Sequence, residues 1–304
     1  MKRWAIVGGL LGALLALLVY LPAAWVARSV AQATGGQLLL ADAKGSLWRG
    51  SAVLVLTGGE GARDASALPG RLHWRLGFSG SAGAQPEGAA NAASGDGVAP
   101  SSVGSFSAPA LALRLRHACC INGELLARVV PGLSRLRVEL QPASSASAAA
   151  GAVSPALPAL PALSVGQWPA SLLSGLGTPW NTLQPRGTLQ LATRGVTLEL
   201  IQGRWVFAGR AEISLNGMSS RVSTLDELGN YKIELQGDSR GQAATVQLST
   251  RSGALQLNGS GQWAASRLRF TGQASAAPGS EAALNNLLNI IGRRQGALSL
   301  ITIG

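Results

Sequence analysis

Residues 186–200 read Arg-Gly-Thr-Leu-Gln-Leu-Ala-Thr-Arg-Gly-Val-Thr-Leu-Glu-Leu. Apolar and polar side chains alternate in two runs, Thr188–Leu191 and Val196–Leu200. Successive side chains of a strand point to opposite faces, so this period of two predicts strands with one buried and one solvated face. The same alternation recurs on both sides of this stretch. Leu72, Trp74 and Leu76 alternate with Arg71, His73 and Arg75, and Leu111, Leu113 and Leu115 with Ala112, Arg114 and Arg116. Further runs are Tyr231–Leu235, Ala254–Leu257 and Leu268–Phe270, with glycines between them where hairpin turns are expected. The pattern predicts a mainly β fold of antiparallel strands.

Composition agrees with this reading. The 304 residues include 40 Gly and 14 Pro, with 5% aromatics, which suits many short strands and disfavours a helical bundle. The net charge is +11, yet charged residues make up only 13%. The basic residues, nearly all Arg, stand singly and not in the stripes of a nucleic-acid module. Two Cys and two His leave little for a disulfide scaffold or a zinc site.

Residues 4–27 carry no charge and follow Lys2 and Arg3. About 20 apolar residues span a bilayer as a helix. Positive charge stays cytoplasmic, so residues 1–3 form a cytoplasmic tip, 4–27 a single-pass anchor, and the body is periplasmic. Tyr20 and Trp25 stand near the far end of the run, where interfacial aromatics belong. The competing reading is a signal peptide cleaved after Ala31-Gln32-Ala33, but its apolar region would normally be shorter. Gly8, Gly12 and Ala16 form a small-residue row for close helix packing, and so for self-association through the anchor.

Beyond residue 34 two related halves are expected, 34–191 and 192–304. Each has strands, a short helix ending in Gly, then Gly and a further strand. The helices are placed at 170–176 and 281–291. The second has Ser280 as N-cap, Glu281 in its first turn, a stripe of Leu284, Leu287, Leu288 and Ile291, and Gly292 to end it. Residues 81–108 and 142–166 are rich in small residues and Pro, and read as inserts between strands.

Little in the chain suggests catalysis. Gly237-Asp238-Ser239-Arg240-Gly241 fits Gly-x-Ser-x-Gly, but strands flank it on both sides where a nucleophile elbow needs a following helix. His73 and His117 have no positioned carboxylate near in sequence and read as solvated or locally bonded. Cys119 and Cys120 are adjacent; opposite orientations in a strand predict one inward and one outward, with a vicinal bond or an intermolecular one as the sharper alternatives. No cofactor, metal or catalytic residue is expected. The strand arginines form polar faces. Arg71, Arg75, Arg114 and Arg116, with Trp48, are a candidate interaction surface toward anionic headgroups or an acidic protein.

Four segments, with the anchor, resemble a known family. They are Gly45-Ser46-Leu47-Trp48-Arg49-Gly50, then Thr178–Gly187 (Thr-Pro-Trp-Asn-Thr-Leu-Gln-Pro-Arg-Gly), then Ser219–Leu225 with Leu228–Tyr231, and Leu287–Arg294. The chain resembles type II secretion system protein N. The resemblance implies a non-enzymatic, inner-membrane-anchored periplasmic component that works with other secretion subunits to export folded proteins across the outer membrane. The inserts and Cys119-Cys120 depart from the family pattern. The alternative is a periplasmic lipid-handling protein resembling AsmA-like or lipopolysaccharide-transport β-sheet proteins, whose apolar sheet face would hold acyl chains.

Overall fold

A computed structural model describes residues 8, 12, 20–79, 110–132, 135–142, 163–201, 204–237, 243–264 and 267–304. Helix α1 (Ala23–Ala33) leads into β1 (Leu38–Gly45), β2 (Arg49–Thr57), β3 (Ala65–Ala67) and β4 (Leu72–Ser79). Next come β5 (Ala110–His117), β6 (Glu124–Pro131), β7 (Arg135–Pro142) and β8 (Leu163–Pro169). A 3₁₀ helix (Ala170–Leu176) and one turn of helix, α2 (Trp180–Leu183), precede the two longest strands, β9 (Arg186–Ile201) and β10 (Arg204–Ser219). The rest is β11 (Gly229–Gly237), β12 (Ala243–Ser252), β13 (Leu255–Ala264), β14 (Arg267–Ala276), α3 (Glu281–Ile291), β15 (Arg293–Gln295) and β16 (Leu298–Ile303).

All these strands belong to one 16-stranded sheet, ordered β1-β2-β4-β5-β6-β7-β9-β10-β11-β12-β13-β14-β16-β15. Every pairing is antiparallel, as the alternation predicts. The sheet forks at β9. Residues 197–201 of that strand pair with β7, while 188–193 pair with β8 on the same edge. The two short runs seen in the sequence are therefore halves of one 16-residue strand. Ala192–Gly195 between them is strand, and the ladder shifts register there, opposite Ala208 to Arg210. Gly209 has φ +99°, and a Cβ on it would run into the Gly195 carbonyl. Glycine at both positions lets β9 and β10 approach closely enough to bend without breaking the hairpin.

Among the described residues the buried apolar side chains fall into three clusters. The largest lies under α3, where Leu284, Leu287 and Leu288 are each at most 2% exposed and pack over Met218, Leu228, Tyr231, Leu255 and Ala274. Tyr231 donates its hydroxyl to the Leu255 carbonyl at 3.1 Å, so the buried ring leaves no polar atom unpaired. The second cluster packs Ala23 and Val26 of α1 over Ala52, Trp74, Leu40, Ala43, Leu113 and Leu115. The third joins Leu68, Cys120 and Leu172.

Helix α3 has the predicted bounds and buried stripe, with Ile291 half-buried; Ser280 stands at its N-cap without a side-chain cap bond. The 170–176 segment is helical but 3₁₀, because Gly175 lies against the Leu56 carbonyl and the Ser66 amide and holds the turn tightly to β2 and β3. Several expectations need correction. The second insert is too long: residues 163–166 already belong to β8. The boundary between halves, 191/192, falls inside β9, and the sheet runs through it. The uncharged run is not one helix to residue 27. Tyr20 stands in a turn, Pro22 bridges to Ser46, and residues 23–27 open α1, which packs on the body.

Among the described residues no helix is long and apolar enough to cross a membrane, and most of 4–19, where the anchor is expected, lies outside them. Gly8 and Gly12 are helical and exposed, with nothing near their missing Cβ positions; Ala16 lies outside the described residues. So do 81–108, 143–162 and 238–242, and with the last the Ser239 of the Gly-x-Ser-x-Gly match; the strands on either side of it, β11 and β12, pair with each other.

Candidate functional site

The register of three neighbouring strands builds the site. Arg49 on β2 stands opposite Arg75 on β4, which stands opposite Arg114 on β5. Two residues along, on the same face, Ser51, His73 and Arg116 form the next row. A bulge in β1 between Ala41 and Lys44 brings Lys44 level with Ser51. Asp42, in the bulge, takes a left-handed φ of 48°, which Asp tolerates better than most residues. The result is a groove of about 630 Å³ lined by Lys44, Arg49, Arg75, Arg114 and Arg116, with His73, Ser51 and Trp74.

Like charges directly opposite on a sheet are unfavourable. Elsewhere some strand arginines are paired, Arg137 with Glu139 at 3.1 Å and Glu199 at 3.2 Å and Arg251 with Glu212 at 2.6 Å, although single like-charge pairs also occur, Arg194 opposite Arg210 and Glu212 opposite Glu234. In the groove only the margins are neutralised. Lys44 reaches Asp42 at 3.1 Å and Arg116 reaches Glu124 at 3.5 Å. Among the described residues no carboxylate pairs with Arg49, Arg75 or Arg114. The groove is a concentration of fixed positive charge, since guanidinium stays protonated throughout the ordinary pH range.

Trp74 and Gly50 back the row from the opposite face of the sheet. The Trp74 ring lies over Gly50, where any Cβ would overlap it, and its Nε1 donates to the Leu47 carbonyl at 3.1 Å. Trp48, in the β1–β2 turn, sets its ring 5.7 Å from that of Phe78, which is 74% exposed. That turn is tied to the chain leaving the uncharged N-terminal run: the Leu47 amide donates to the Leu21 carbonyl at 2.8 Å, and Ser46 bridges to Pro22.

Of the expected interaction residues, Arg75, Arg114 and Arg116 line the groove, while Trp48, next to Arg49 in the chain, packs on Phe78 and does not line it. Arg71 does not line it. Its Nη1 donates to Asp42 Oδ2 at 2.7 Å and its Nη2 to the Asp42 carbonyl at 2.6 Å, so it clamps the β1 bulge. Those hydrogen bonds, then those of Lys44, hold the Asp42 carboxyl below its ordinary pKa. Sequence reasoning missed Lys44, Arg49 and His73 as members of the groove. Arg49 shares the polar parity of Ser51 and was within reach; Lys44 is aimed by the bulge, which has no local sequence signal.

A second constellation lies beside β8. Cys119 and Cys120 are bonded to each other, correcting the expectation of two unlinked side chains, although Cys120 is buried and Cys119 exposed as foreseen. His117 is 3% exposed, not solvated, because it turns toward the Gly70 bend, and its Nδ1 lies 3.2 Å from Cys119 Sγ. Burial first, and the charge of His73 second, push its pKa below the ordinary imidazole value. His117, Cys119 and Cys120 have the proximity of a metal site, but bonded sulfurs offer no thiolate to a metal. The tryptophans of the body divide: Trp74 is buried, Trp48 half-buried, Trp180 and Trp263 exposed, and the side chain of Trp205 lies outside the described residues.

One family model, described as Type II secretion system (T2SS), protein N, matches residues 36–300. No curated protein and no solved structure matches the chain.

Proposed function

We propose, because the chain belongs to the type II secretion system protein N family, that this secretion component is non-enzymatic and held in the inner membrane by its N-terminal apolar run. Its β body stands in the periplasm and supports export of folded proteins across the outer membrane, in contact with other secretion subunits. The family match carries the secretion assignment. The topology is supported by Lys2 and Arg3 ahead of the uncharged residues 4–27. It is supported also by the Leu47–Leu21 hydrogen bond and the Pro22–Ser46 bridge, which join the end of that run to the first hairpin without a flexible linker. The groove suits recognition of negative charge, since its lining concentrates Arg49, Arg75, Arg114 and Arg116, whose planar guanidinium forks match carboxylate and phosphate oxygens.

Deleting the gene should leave type II substrates in the periplasm, measured as enzyme activity in periplasmic and external fractions. Normal secretion with altered outer-membrane lipid would reject this function in favour of lipid handling. A phosphatase fused after residue 60 should be active and should stay with membranes through carbonate extraction. An inactive fusion, or a mature chain starting at Thr34, would reject the anchored topology.

A further inference from the structure

We propose that the Arg49–Arg75–Arg114 groove binds the phosphate headgroup of an anionic phospholipid in the outer leaflet of the inner membrane. The assignment rests on the anchored topology above and adds to it a ligand and its site. Two observations converge. The row consists of three guanidinium groups in consecutive cross-strand register that no carboxylate among the described residues neutralises, whereas Arg194 and Arg210 on β9 and β10 form only a single such pair. Adjacent strands lie about 4.8 Å apart, so the row spans about 10 Å, the width of one or two phosphodiesters. Guanidinium also matches phosphate oxygens in a bidentate way that an ammonium does not.

Position is the second observation. Arg49 follows the Ser46–Trp48 turn directly, and Leu47 in that turn is hydrogen-bonded to Leu21, where the uncharged run turns into α1. The row therefore lies at the end of the sheet where the chain leaves the bilayer. An acidic protein partner would not require that placement; a headgroup does.

Aromatic side chains stand near the same turn: Tyr20 is 81% exposed, and the Trp48 ring packs on Phe78, which is 74% exposed and, three residues from Arg75 on β4, stands on the opposite face of the sheet from the row. Arg71 and Asp42 hold the β1 bulge that presents Lys44, so the groove keeps its shape without a ligand.

The test uses the full chain purified in detergent, so it does not depend on membrane topology, which the phosphatase fusion scores separately. Native mass spectrometry would measure retention of added phosphatidylglycerol and phosphatidylcholine at equal concentrations. Wild type should retain phosphatidylglycerol preferentially. Each basic group lost at a membrane surface weakens binding about fivefold, so R49Q/R75Q/R114Q should weaken it about 100-fold. The triple change R186Q/R194Q/R210Q on β9 and β10 removes equal charge and should leave retention unchanged. If R49Q/R75Q/R114Q does not keep the wild-type circular dichroism, R75Q alone is read, with about fivefold loss expected. Equal retention of the two lipids, full retention by the groove variant, or equal loss in the control would overturn the proposal. Displacement of the lipid by millimolar inorganic phosphate would reassign the groove to small anions, and displacement by polyglutamate to an acidic protein; either result overturns it.

Discussion

Arg75 has a like charge on each side, Arg49 on β2 and Arg114 on β5. Cross-strand pairs of this kind cost a few tenths to about 1 kcal/mol each, so the middle arginine is held against the stability of the sheet. Arg75→Glu should raise stability by about 1 kcal/mol, read as a higher Tm, while removing anion affinity; a lower Tm would show that the row is stabilised by something else. Gly50 makes the opposite case. Its missing side chain is the space the Trp74 ring occupies. Gly50→Val should cost about 1–3 kcal/mol by overpacking, measured by denaturant unfolding. His117 carries a pH signature. Its folded pKa is depressed by burial, so the unfolded chain takes up a proton first as pH falls. The His117 contribution to stability is fully present above the ordinary imidazole pKa of 6.5 and is lost as pH falls from there toward the folded value. Comparing Tm at pH values above and below 6.5, His117→Gln should lose less than wild type; equal losses would show that His117 binds its proton equally well in the folded and unfolded chain.

At the scale of elements, α3 is the clearest case of a helix specified locally and stabilised non-locally. Its stripe could be read from spacing alone, but 11 residues are too few for a stable isolated helix in water. It persists because Leu284 and Leu288 are nearly fully buried over β11, β13 and β14. Leu288→Ala should cost about 2–5 kcal/mol through lost burial and a cavity, seen as a lower urea midpoint. A change under 1 kcal/mol would mean the helix is a peripheral cover. The 170–176 segment shows the limit of local reading. Its helical tendency was legible in the sequence; its 3₁₀ form follows from the approach of Gly175 to Leu56 and Ser66, which lie more than 100 residues earlier. Similarly, β9 reads as two strands because Arg194 and Gly195 interrupt the alternation, whereas pairing with β10 carries the strand through.

For the whole molecule, a continuous sheet predicts one cooperative body beyond residue 34. The expected division at 191/192 cuts β9, whose residues 186–201 contact β7, β8 and β10. Fragments 34–191 and 192–304, expressed separately, should therefore aggregate, since each exposes a long unpaired edge. Recovery of either as a monomer with strand-dominated circular dichroism would restore the picture of independent halves. What the sequence by itself determined is what depends on near neighbours: strand from the period-two alternation, α3 from its stripe and stop, charge from the singly placed arginines, and family from four short segments. What only the tertiary structure decided depends on register. Arg49, Arg75 and Arg114 are 26 and 39 residues apart in the chain, and nothing in any one strand says that the three stand in a row. Register is set by burial of the opposite face, where Ala52, Trp74 and Leu115 pack beneath α1, because a slip of one residue would turn that apolar set to water. The cationic groove is thus a consequence of core packing on the other side of the same sheet.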